Sequence, residues 1–136
     1  MNIIVDTNVL FAALIRNSET RKLILSYNDK FLCPEYFFIE FEKHKLDIFL
    51  KSGSSYNDFD KLYFLLMEQI YIVPHTSIKA HIPKAVELVK DIDEDDILFI
   101  ATALAYPKSI LWSNDAALRR QNVVHVMNTK EIRKIL

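Results

Sequence analysis

Acidic side chains stand where the chain changes pattern. Asp6 follows the β-branched run Ile3, Ile4 and Val5, and precedes Thr7, Asn8 and an apolar stretch from Val9 to Ile15. Asp115 repeats the arrangement, since the apolar Ile110-Leu-Trp112 gives way to Ser113, Asn114 and Asp115. Between the two lies Lys90-Asp-Ile-Asp-Glu-Asp-Asp96, with five acids from Asp91 to Asp96, followed by the apolar run Ile97–Ala105. A further acid, Glu40, sits within the aromatic segment Tyr36-Phe-Phe-Ile-Glu-Phe-Glu42. Carboxylates gathered in one place repel unless they are protonated or bridged by cations. All-oxygen ligand sets suit Mg²⁺ or Mn²⁺. Such ions activate water and stabilise a leaving oxygen in phosphodiester cleavage.

Helix chemistry explains part of this pattern. Asp, Asn, Ser and Thr are preferred N-caps, and acids in a first turn favour the helix dipole. Asp93, with Asp96 three residues on, resembles an acidic variant of a capping box. Capping is reason enough for any one of Asp6, Asp93 or Asp115. It explains the set less well, because one residue caps a helix and Asp96 lies inside its helix against an apolar run.

The elements that must position these groups alternate. Short β-rich runs fall at Asn2–Val5, Phe31–Cys33, Tyr71–Val73, Ser109–Trp112 and Val123–Val126. Helical patterns fall at Val9–Ile15, Glu19–Tyr27, Glu35–Lys51, Tyr56–Gln69, Pro83–Lys90, Asp95–Ala105, Ala116–Gln121 and Lys130–Leu136. Strand–helix–strand repetition with short apolar strands predicts an α/β fold, with a parallel sheet and helices on both faces. Ligands in such folds bind beyond the carboxyl ends of the strands, where Asp6 and Asp115 fall. Lys51-Ser-Gly-Ser-Ser55 reads as a turn between two helices. Those helices carry more aromatics than one buried face needs, and part of the surplus is expected to form a dimer or partner surface.

The 136 residues read as one domain, 1–136, with 51% hydrophobic residues to fill a core. A formal net charge of −1 argues against duplex binding through a broad basic face. Cys33 is the single cysteine and reads as a small buried hydrophobe, which excludes an intrachain disulfide and points to a reducing, cytoplasmic setting. No basic-then-apolar leader is present, and no run approaches the ~18 apolar residues of a membrane span. Gly53 is the single glycine, so neither a Walker A loop nor a dinucleotide fingerprint can be built.

Val5-Asp6-Thr7-Asn8-Val9-Leu10 and Asp96-Ile-Leu-Phe-Ile-Ala-Thr-Ala103, with a Glu on an early helix and a strand ending in Ser113-Asn-Asp115, resemble a PIN domain along the whole chain. The resemblance implies a three-layer α/β/α sandwich with about five parallel strands and a Mg²⁺- or Mn²⁺-dependent nuclease site. Many prokaryotic PIN proteins are endoribonucleases, and many are toxins of VapC-type toxin–antitoxin pairs. An RNA substrate, an antitoxin partner and a homodimer are therefore expected. The family's four acids fall on Asp6, Glu40, Asp96 and Asp115. Its small polar helpers fall on Thr7, Asn8 and Ser113, and Asp93 lies where some members carry an additional acid. Two positions have competitors. Glu42 points into the aromatic arc of the helical wheel, whereas Glu40 lies at its edge beside His44. Asp95 competes with Asp96, which has the better register with Ile100-Ala-Thr-Ala103.

The chemistry expected is metal-assisted hydrolysis leaving a 5′ phosphate and a 3′ hydroxyl. Asp6, Asp96, Asp115 and Glu40 would ligate one or two ions, and Thr7, Asn8 and Ser113 would orient them. Arg16, Arg21, Lys22, Arg119 and Arg120 are candidates to steer a phosphate backbone. The four histidines are scattered and form no site. No Gly-x-Ser-x-Gly elbow exists. An Asp6-nucleophile phosphatase would want a second acid where Asn8 stands. A receiver domain would want an Asp where Pro74 and His75 follow the third strand. A PIN-like module that binds RNA or protein without cleaving is the remaining alternative, and the complete acid set argues against it.

Overall fold

Three consecutive β-branched residues, Ile3–Val5, form β1, and none is exposed. The computed structural model describes residues 1–89, 91 and 93–136. α1 (Thr7–Ile15) and α2 (Glu19–Ser26) lead to β2 (Phe31–Pro34), followed by the helical excursion of α3 (Tyr36–Ser52) and α4 (Tyr56–Glu68). β3 (Ile70–Val73), α5 (His75–Ile78), a 3₁₀ turn (Lys79–His81) and α6 (Ile82–Val89) come next. A second 3₁₀ turn (Glu94–Asp96) runs into α7 (Ile97–Ala105) and β4 (Ile110–Trp112). A third (Ala116–Arg120), β5 (His125–Met127) and α8 (Thr129–Ile135) close the chain.

The five strands lie in the order β3-β2-β1-β4-β5, and every pairing is parallel. Val5 stands opposite Trp112, Trp112 opposite Met127 and Pro34 opposite Val73, so the strands end along one edge. The chain runs from β1 outward through β2 to β3, and then returns to β4 on the other side of β1. With right-handed crossovers, that reversal puts α1–α4 on one face and α5–α7 on the other. It also makes the space above β1 and β4 a topological switch point, where open α/β sheets place ligands.

The core is the sheet itself, with Phe31 and Trp112 fully buried, wedged between helices. α7 is apolar nearly all round, with Phe99, Ile100, Ala101, Thr102 and Ala103 buried. Thr102 satisfies its hydroxyl on the Leu98 carbonyl at 2.7 Å. Gly53 ends α3 with φ +64°, a left-handed cap that glycine adopts without strain, and Ser55 caps α4 by accepting from the Asp58 amide. Cys33 is buried as expected.

Several boundaries differ from the sequence reading. α1 begins two residues early, because the Val9 amide already bonds the Asp6 carbonyl and draws Thr7 and Asn8 into the first turn. The expected helix Ala116–Gln121 is a 3₁₀ turn, and the expected helix from Asp95 begins as one. The last strand starts at His125, not Val123, because Gln121 folds its side chain back onto the backbone of Val123 and Val124. His75, just beyond the third strand, opens α5, a helix the sequence reading did not include. The expected helix Pro83–Lys90 is observed as Ile82–Val89, and Lys90 lies outside the described residues. Among the described residues no helix is long and apolar enough to cross a membrane.

Candidate active site

Asp6 stands one residue beyond β1, where a helix cap would be, yet its side chain makes no capping hydrogen bond. It is instead buried beneath the sheet edge, and the Ser113 hydroxyl donates to its Oδ2 at 2.7 Å. Ser113 lies one residue beyond β4, so parallel registry brings the two together. The Ser113 oxygen also accepts the Asp115 amide at 3.1 Å, which turns the loop and lifts Asp115 over the edge. Asp115 does act as a cap, accepting the Ala117 amide at 2.9 Å. Behind this loop Asn114 and Thr129 bond one another, and the Trp112 indole N–H donates to the Thr129 hydroxyl oxygen at 3.0 Å. Thus α8 backs the loop.

Across the site, the Thr7 hydroxyl donates to Glu40 Oε1 at 2.8 Å and fixes the α3 carboxylate over the start of α1. Glu42 is exposed on another side of α3, beside Lys45 and Phe49 rather than in the aromatic core that the wheel suggested. One turn before Glu40, the Tyr36 phenol donates to Asp95 Oδ1 at 3.3 Å. Asp95 is therefore drawn toward α3. Asp93 caps the 3₁₀ turn by accepting the Asp95 amide at 3.2 Å. Asp96 caps nothing with its side chain, and its Oδ2 is buried without a hydrogen-bond partner among the described residues.

The carboxyls feel one another. Burial raises the Asp6 pKa, the Asp115 charge adds to it, and the Ser113 hydrogen bond pulls the other way. Glu40 is raised chiefly by burial, with Asp95 and Asp6 adding to the effect against the Thr7 hydrogen bond. Asp96 is pushed up to about 7, first by burial and then by the charges of Asp6 and Asp115. The thiol of Cys33 is pushed up by its burial and by the charges of Asp6 and Glu40.

Asp6, Glu40, Asp96 and Asp115 therefore share one edge of the sheet. Thr7 and Ser113 hold two of them, Asp93 shapes the turn below Asp96, and Asn8 is exposed beside the site. Among the described residues no three Asp, Glu, His or Cys side chains are closed around one point at the spacing of a formed metal cage. The acids nevertheless suit a hard cation. A buried carboxylate oxygen without a donor, surrounded by other carboxylates, lacks only positive charge. Of the candidate steering residues, Arg21 is spent on the Ala13 and Leu14 carbonyls and Arg119 pairs with Glu131. Arg16, Lys22 and Arg120 are exposed. Sequence reasoning counted Tyr36 only among surplus aromatics. Its place four residues before Glu40, on the same helix face, was the signal available.

Among the solved structures to which the chain is similar, two match it over almost its whole length. One is VapBC2 from Rickettsia felis bound to a DNA fragment from their promoter (TM-score 0.71, 14% identity, covering 94% of this chain and 98% of that one). The other is VapBC-1 from nontypeable Haemophilus influenzae (TM-score 0.67, 18% identity, covering 96% and 99%). No curated protein matches by sequence. These structural likenesses establish a shared fold. The family model described as PIN domain matches residues 4–135, and the chain accordingly belongs to the PIN-domain family.

Proposed function

We propose that this protein is an endoribonuclease that hydrolyses RNA phosphodiester bonds with Mg²⁺ or Mn²⁺. The observation that carries the reading is the buried Oδ2 of Asp96, unpartnered among the described residues, beside the carboxyls of Asp6 and Asp115. Asp6, Asp96 and Asp115, with Glu40, are the residues that would hold the ion. A divalent ion there supplies the acidity that water needs to attack a phosphate at neutral pH, and a positive charge beside the departing 3′ oxygen. Ser113 fixes one oxygen of Asp6. Thr7 does the same for Glu40. Asp96 holds a proton near neutral pH when no counter-charge is present and releases it when one arrives. Beside Asn8, a groove of about 310 Å³ between α1 and α3 is lined by Phe11, His44 and Lys51, the last paired with Asp47 at 3.0 Å.

The fold shared with the two VapBC structures supports a further reading, that the protein is the toxin of a toxin–antitoxin pair. Leu46, Leu50, Tyr56, Phe64 and Leu65 on α3 and α4 are exposed, and such a surface suits an antitoxin or a second copy of the chain.

The test is cleavage of single-stranded RNA and DNA with Mn²⁺ or Mg²⁺. The wild type should cut RNA only with the metal. Losing even a partner that orients a metal ligand costs 10–100-fold, so Asp6→Asn and Asp96→Asn should lose roughly a hundredfold or more. Metal-independent cleavage, or cleavage that survives both substitutions, refutes the mechanism.

A further inference from the structure

Two adjacent carboxylates, Asp95 and Asp96, could each face the other acids. Asp95 is exposed, whereas Asp96 is half-buried at the start of α7. Both belong to one short 3₁₀ turn, Glu94–Asp96, whose inner hydrogen bonds run from the Asp95 amide to Asp93 Oδ1 (3.2 Å) and from the Asp96 amide to the Asp93 carbonyl (3.0 Å). These bonds fix the shape of the turn, and Asp96 joins it directly to the buried helix α7. Among the described residues, one side-chain hydrogen bond ties the turn to another element. It is donated by the Tyr36 phenol to Asp95 Oδ1 at 3.3 Å.

Tyr36 opens α3, and Glu40 follows one turn later on the same face. Glu35, just before it, caps α5 by accepting the His75 amide at 2.9 Å, so the start of α3 is pinned on that side too. The same helix face that presents Glu40 to Thr7 thus presents Tyr36 to the acidic turn. A bond that draws Asp95 toward α3 leaves Asp96 as the member of the pair that faces Asp6 and Asp115.

We propose that Tyr36 is a positioning residue. By holding Asp95 it sets the turn so that Asp96, and not Asp95, joins Asp6 and Asp115 as a cation ligand. The proposal rests on the metal-dependent reading above. It involves no contact between Tyr36 and substrate, and it concerns the apoprotein as much as the loaded one.

The experiment measures Mn²⁺ binding by calorimetry on the full chain, with amide hydrogen exchange on the metal-free protein. Removing one modest hydrogen bond should weaken Mn²⁺ binding roughly three- to tenfold in Tyr36→Phe, with an unchanged melting temperature. The same substitution should cost nothing further in an Asp95→Ala background, because the bond is already absent there. Asp95→Ala should retain measurable binding, whereas Asp96→Ala should abolish it. The Asp95 and Asp96 amides should exchange faster in Tyr36→Phe. Wild-type Mn²⁺ affinity in Tyr36→Phe, or loss of binding in Asp95→Ala as complete as in Asp96→Ala, overturns the proposal alone. A wild-type protein that binds no Mn²⁺ overturns the metal reading together with it.

Discussion

Asp93 and Asp115 accept backbone amides at the start of short 3₁₀ turns, while Asp6 and Asp96 stand at helix starts and cap nothing with their side chains. Local stability accounts for the first two and not for the second two. Asp96 has a consequence that can be measured. Its carboxyl has an ordinary pKa of 3.8 and one of about 7 in the fold. Between those values the folded state holds a proton that the unfolded state has lost. Stability of the metal-free protein should therefore fall as pH rises from about 4 to about 7, and the loss should be complete above that. Asp96 is half-exposed, so solvent screening trims the size of the effect. Asp96→Asn should show a shallower slope and greater stability at pH 8, read from urea midpoints in the presence of a chelator. Asp6 is raised as well, so some slope should persist. Asp6, Glu40 and Asp115 were legible because strand ends and a helix edge mark positions that sequence periodicity reveals. Which of Asp95 and Asp96 faces inward was legible only as helix register. The bond from Tyr36 to Asp95 spans 59 positions and leaves no trace in the sequence around Asp95 itself.

The elements were legible wherever an apolar run was long enough to declare its period. All five strands fall within a few residues of their expected places, since buried parallel strands are nearly uniform in composition. α5 escaped notice because four residues carry no helical period. The roll of α8 was also hidden, because its importance lies in side chains that reach across to β4. The Thr129 hydroxyl receives the indole N–H of Trp112, which is wholly buried, and bonds Asn114 in the loop that carries Asp115. Thr129→Val keeps the shape and removes the acceptor. It should destabilise the protein by about 1–3 kcal/mol, the cost of leaving a buried donor unpaired. Trp112 is the single tryptophan, so denaturation followed by its fluorescence reads both the stability and the local change.

At the scale of the whole molecule, the acids at the sheet edge repel one another, a cost that a bound cation would relieve. A ligand that binds only the folded state stabilises it by mass action, about 2.7 kcal/mol at a hundredfold excess over Kd. Mn²⁺ should therefore raise the melting temperature of the wild type, and Asp6→Asn should lose most of that rise. Differential scanning calorimetry with and without chelator checks this. The strand order carries another consequence, in time rather than in space. β1 is the first of the five strands in chain order and the central strand of the finished sheet. One of its two edges waits for β4, and Asp6 waits for Ser113, 107 residues later. A growing chain can pair β1 with β2 and β3 early, yet Asp6 and Asp115 cannot meet until β4 has been made. Fragments that stop short of β4 carry no assembled acid set, so the proposed chemistry would become possible only once β4 has been added.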